Sequence, residues 1–218
     1  MSEADAESSG GTARGAREWA ELWSALLLAA ATVATAFSAY EATRWSGVQA
    51  TKFTEASAER TESAKASSEG FSLVTIDADL FTQYAVAFTE GNHHLMRILQ
   101  RRFFRNEFKP AFREWSAEHP LTNPKAVATP FQLPSYRPRR LQQSNELTAQ
   151  ASARFEEGRR ANQNSDDYVL ATIFFAAVLF FAGLSPKFSV DRIALGALGF
   201  GTLVFLAGVA RILTLPFH

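Results

Sequence analysis

Three stretches of this chain are too long and too free of charge to belong to an ordinary water-soluble fold. Residues 22–40, 168–184 and 193–210 contain no Asp, Glu, Lys or Arg, and each approaches the ~20 apolar residues that cross a ~30 Å hydrocarbon layer. The fold class expected is therefore all-α: an integral membrane protein with three transmembrane helices.

The first stretch has Trp19 and Trp23 at one end and Tyr40 and Trp45 at the other, as interfacial anchors should be placed. The alternative, a cleaved signal peptide with Ala34-Thr35-Ala36 as its cleavage motif, is disfavoured by a long leader richer in acid than in base. The second and third stretches are separated only by residues 185–192, which include Pro186, so they form a hairpin. Small residues four apart, Ala25/Ala29, Ala30/Ala34 and Ala197/Gly201, let helix backbones approach closely. They serve either packing among the three helices, the favoured reading, or a homo-oligomeric contact. No ionisable side chain lies in the middle of any span, which weighs against a pump or proton-coupled transporter. An oligomeric channel would need the hydroxyls of Ser24, Thr32, Thr35 and Ser38, although such groups usually bond to their own backbone.

Acidic and basic residues balance at 22 each, and residues 41–167 hold 17 basic against 16 acidic side chains. Nucleic acid, which needs an excess of phosphate-neutralising cations, is not an expected partner. With no cysteine, disulfides, thiolate metal sites and cysteine nucleophiles are all excluded. Arginine outnumbers lysine 17 to 5, which suggests a GC-rich bacterial genome and hence the bacterial plasma (inner) membrane. Near the bilayer, Arg44, Lys52, Arg154, Arg159, Arg160 and Arg211 share one side, against Arg14, Arg17, Lys187 and Arg192 on the other. The positive-inside rule leans towards a cytoplasmic central domain.

That domain divides by composition. A disordered tail, 1–18, precedes the first span, 19–40; segments 41–70 and 141–167 are polar, Ala-rich and without proline, and are expected as a helical stalk. Residues 44–70 and 141–167 are 27 each, about 40 Å of helix apiece. A head, 71–118, shows Phe71, Leu73, Ile76, Leu80, Tyr84 and Phe88 at helical spacing. Gly91-Asn92 is the strongest turn signal, with a second break conceivable at Ser67-Ser68-Glu69-Gly70. Segment 119–140, with five prolines between Pro120 and Pro138, reads as an extended arm over the head. The second span, 168–185, a turn, 186–192, and the third span, 193–214, complete the chain.

Candidate sites are few. Arg97, Arg101, Arg105, Lys109 and Arg113 recur every four residues among Phe103, Phe104, Phe108 and Phe112, a basic ridge suited to anionic lipid or a phosphorylated ligand if the helix survives Pro110. The plainer and favoured account is a solvated face paired with Glu107, Glu114 and Glu118 and with acids on the neighbouring helix. His93-His94 lacks a carboxylate at ligand spacing, so no metal is expected. Asp77 and Asp79 point to opposite sides of a helix, and salt bridges or solvation at the core's border explain them better than catalysis. Asp166-Asp167 sits just ahead of the second span, where capping or marking the interface explains it better than chemistry. No phosphate loop, nucleophile elbow or His-Glu-x-x-His is present, so neither a cofactor nor an enzymatic activity is expected.

The run from Arg101-Arg102-Phe103 through Glu107-Phe108-Lys109-Pro110-Ala111-Phe112 to Trp115, with His119-Pro120-Leu121 and Pro130-Phe131, resembles a block in uncharacterised prokaryotic three-span integral membrane proteins. Ala161-Asn162-Gln163, Asp166-Asp167-Tyr168 and Phe180-Phe181-Ala182-Gly183 resemble the same group. The resemblance implies a bacterial three-span protein with a helical insert and brings no functional residues. The expected role is a non-enzymatic membrane component that self-associates, or scaffolds a protein partner the sequence does not identify, through stalk and head.

Overall fold

Helix dominates because almost nothing in the sequence stops it: the first proline is Pro110. The computed structural model describes residues 3–120 and 123–217, and side chains from residue 17 onward. Its helices are α1 (Glu3–Thr89), α2 (His93–Ile98), α3 (Lys109–Ala117), α4 (Arg139–Leu184) and α5 (Asp191–Leu213). A π-helical turn spans Leu99–Phe103, and single 3-10 turns span Pro130–Gln132 and Ser185–Lys187. No strand occurs among the described residues. The disordered tail expected over 1–18 needs correction from residue 3 onward, since α1 is assigned from Glu3. With no proline there, helix propagates outward even through Gly10 and Gly11, at the usual glycine cost.

The turn that ends α1 lies at Gly91 rather than at Gly70. The Gly91 N–H donates to the Phe88 carbonyl and the Asn92 N–H to the Ala87 carbonyl, at 3.1 and 2.8 Å, which is the Schellman pairing. It requires a left-handed residue, and Gly91 has φ +68°, where a glycine avoids the Cβ clash. The Asn92 side chain then accepts from the Leu95 N–H at 3.1 Å and caps α2. Helix passes straight through Gly70, whose missing side chain admits Leu141: an added Cβ would lie 2.6 Å from Leu141 Cδ2.

The chain packs as two units, 1–53 with 156–218, and 54–155. The first contains segments of α1 and α4 together with α5, and the structure has three helices long and apolar enough to cross a membrane. Inside this unit are Leu27, Ala31, Val178, Ala182 and Leu198, and further along Ala42, Tyr168, Ala171, Phe175 and Ile212. Outside are Leu22, Leu26, Val33, Ile173, Leu203 and Leu206, all exposed. Large aliphatic side chains exposed along helices of this length and apolarity suit lipid as solvent. At one end Asp167 meets Arg211 at 2.7 Å, and Trp45 Nε1 and the Tyr168 hydroxyl both donate to the Pro216 carbonyl, at 3.1 and 3.3 Å.

In the second unit, the buried face of α1 recurs every seven residues: Ala56, Ser63, Gly70, Asp77 and Tyr84. A seven-residue repeat is slightly shorter than two turns of helix, so it keeps one seam turned to a partner over many turns. Along Ser63 and Gly70 the partner is α4, where the Ser63 hydroxyl meets the Ser144 carbonyl at 2.9 Å and Thr148 Oγ1 at 2.8 Å. This repeat corrects the apolar face expected on the head. Leu73 and Leu80 are half-buried and Tyr84 buried, but Phe71, Ile76 and Phe88 are exposed, because the inward seam runs through Asp77. The head's core gathers Tyr84, Leu99, Phe104, Phe108, Phe112, Trp115 and Leu133, with Val127, Phe131 and Tyr136 of the proline-rich segment packed against it.

Candidate functional site

The most ordered polar constellation lies within this aromatic core. Asp77, fully buried, accepts two parallel hydrogen bonds from Arg105, Nε to Oδ1 at 2.9 Å and Nη2 to Oδ2 at 2.8 Å. The Tyr136 hydroxyl donates to the same Oδ2 at 2.9 Å. A carboxylate this deep is tolerated only with its lone pairs occupied, and the forked guanidinium does so with fixed geometry. Arg105 also faces Glu107 at 3.6 Å, and Glu107 in turn meets Arg139 at 3.4 Å. Residues 28 and 59 positions away from Asp77 thus join α1, the turn before α3 and the proline-rich segment in one clamp.

Burial pushes the Tyr136 hydroxyl well above the ordinary phenol range; its hydrogen bond to Asp77 and that carboxylate's charge add to the rise, while Arg105 opposes it. Burial likewise raises Tyr84, against a hydrogen bond with Gln100. A phenol whose acidity is weakened by folding contributes stability that is complete below the unfolded value, ~10, and lost as pH rises towards the folded one. We expect denaturant midpoints for the head to hold steady to about pH 10 and to fall beyond it. Tyr136→Phe should cost about 1 kcal/mol at neutral pH, for one hydrogen bond lost, and flatten the alkaline fall. A variant whose alkaline curve parallels the parent's would contradict the assignment.

The basic ridge is rearranged. The π turn and the break at Phe104, where ψ is 128°, end the regular four-residue register, and Arg105 turns inward to Asp77. Arg97 is exposed on α2. Arg101, Lys109 and Arg113 instead line one groove of about 440 Å³ with Gln100, Phe104 and Phe112. The expected pairing with Glu107 is corrected for these three: that carboxylate is taken by Arg105 and Arg139.

Small residues of the spans divide by face. Gly201 is buried, with Phe181 Cβ 3.6 Å and Leu27 Cδ2 3.7 Å from where its Cβ would stand, and Ala197 beside it is half-buried. Ala30 and Ala34 are half-buried, whereas Ala25 and Ala29 are exposed. The hydroxyls named for a pore are engaged with carbonyls: Ser24 with Ala182 at 2.6 Å, and Thr32, Thr35 and Ser38 each with the residue four before it. Ser24 and Ser38 are moreover buried within the unit. His93 and His94 are both exposed at the start of α2. Asp166 accepts from Asn162 at 2.9 Å, while Asp167 belongs to the ion pair with Arg211. Sequence reasoning expects a salt bridge or solvation at Asp77, but it names neither partner, Arg105 or Tyr136, and does not place the carboxylate inside the core. No family model matches the sequence, and no curated protein or solved structure matches it.

Proposed function

We propose that this chain is a non-enzymatic component of a bacterial plasma membrane that self-associates through its first span. The observation that carries the reading is the outward face of α1. Ala25, Ala29, Thr32, Ala36, Ala39 and Thr43 are all exposed and follow one another by four, three, four, three and four positions. Thr32 and Thr43 hold their hydroxyls against the Leu28 and Ala39 carbonyls, so the face is small without being polar. Lipid tails gain little from small side chains, whereas another helix can approach such a face closely. The seven-residue seam of the second unit supports reading α1 and α4 there as an antiparallel coiled coil. The count of basic residues supports a cytoplasmic head; a single cysteine at Ala117, reacting with an impermeant thiol reagent only after lysis, would bear this out.

Donor- and acceptor-labelled copies of the full chain, mixed in liposomes, should show energy transfer that falls on dilution with lipid. Ala29→Leu with Ala36→Leu should weaken association by roughly tenfold or more, for about 1–2 kcal/mol of close packing lost. Transfer at the level of random proximity in the parent, or unchanged by the two leucines, would remove this reading.

A further inference from the structure

We propose that the groove between the π turn and α3 binds a phosphate group, with Arg101, Lys109 and Arg113 as its ligands. This is independent of self-association and rests on a different part of the molecule. Three cations line a single concavity, and among the described residues none of them has a carboxylate within ion-pair distance. Lys109 and Arg113 make only weak contacts with neutral oxygens, 3.4 Å to Asn106 Oδ1 and 3.3 Å to the Lys109 carbonyl. Like charges collected without acid repel one another, and a multiply charged anion relieves that repulsion.

The backbone is shaped for the task. A regular helix would have carried Arg101 onward along a single face with Arg105; the π turn of Leu99–Phe103 and the extended residue after it bring Arg101 to the groove instead. π turns of this kind concentrate at functional positions. Lys109 and Arg113 stand one turn apart on α3, so they face the same way. Below them Phe104 and Phe112, 3% and 5% exposed, meet edge to face at 4.8 Å, a floor fixed by the aromatic core. Gln100, half-buried, completes the lining with an uncharged amide. Two guanidinium forks and an ammonium lining one groove beside buried aromatic rings fit a phosphate joined to an organic group.

That phosphate has two sources, a lipid headgroup or a soluble phosphorylated molecule, and one design separates them. Pyrophosphate is titrated calorimetrically into the full chain in zwitterionic detergent. Separately, hydrogen exchange across residues 99–113 is followed in phosphatidylcholine liposomes with and without phosphatidic acid. Saturable pyrophosphate binding that weakens with salt, without protection by phosphatidic acid, supports a soluble ligand; protection by phosphatidic acid supports a headgroup. Arg101→Gln with Lys109→Gln and Arg113→Gln should reduce binding ~100-fold or more, at about tenfold per charged hydrogen bond. Should that variant unfold, Arg101→Gln alone, at an exposed position, should lower affinity about tenfold. Arg97→Gln with Arg102→Gln, exposed positions outside the groove, should leave it unchanged. No binding and no protection, or an equal loss in the Arg97 and Arg102 variant, overturns the proposal.

Discussion

Asp77→Ala is expected to destabilise the helical head by about 3–5 kcal/mol, the usual cost of removing one partner from a buried ion pair. The magnitude follows from what is left behind. Arg105 would keep its inward position with neither carboxylate oxygen for its fork, and the Tyr136 hydroxyl would lose the one acceptor it has among the described residues. Against the ~5–15 kcal/mol that holds a typical domain together, this is a large fraction. Hydrogen exchange of the full chain in detergent measures it: amides over residues 99–115 should exchange ~100-fold faster or more, while those of α5 stay unchanged. A local increase of less than tenfold would mean the clamp is ornamental. Replacing the whole group, Asp77→Leu with Arg105→Met and Tyr136→Phe, should recover most of the loss, because an apolar cluster of similar volume carries no desolvation cost.

The two polar features of the head were legible to different degrees, and the reason is range. Hydrophobic periodicity and turn chemistry act over a few residues, so the uncharged stretches and Gly91-Asn92 announce the helices and the turn ending α1. Asp77 looked peripheral because its neighbours in sequence say nothing about Arg105, 28 positions on, or Tyr136, 59 positions on. Only the seven-residue repeat from Ala56 to Tyr84 places it inside, and the repeat is weak in composition because four of its five members are Ala, Ser, Gly and Asp. The ridge erred for a related reason: spacing by four implies one face only in an α-helix, and the π turn breaks that assumption at Leu99. In the spans, equal spacing gave unequal outcomes. Gly201 faces Phe181 and Leu27 while Ala25 and Ala29 face outward, since the face a helix buries is chosen by two neighbours at once.

Phe108→Ala should be the most damaging apolar substitution in the head, at about 3–5 kcal/mol for an aromatic ring removed from a closed core. Phe108 is wholly buried, and its ring meets Phe104 at 4.9 Å, Phe131 at 5.2 Å, Tyr136 at 5.9 Å, Phe112 at 6.0 Å and Phe81 at 6.3 Å. Those five rings come from α1, the turn before α3, α3 itself and the proline-rich segment, so no single element can collapse to fill the space. Phe108→Leu, which leaves a smaller void, should cost less than half as much by denaturant titration; equal losses would show that ring contacts are not what holds the site. Because Tyr136 touches both Phe108 and Asp77, the two alanine substitutions should not add. Once either is made, part of the proline-rich segment is already released, and the double variant should fall short of the sum by ~1 kcal/mol or more. Strict additivity would separate the clamp from the core and show that Tyr136 does not couple them.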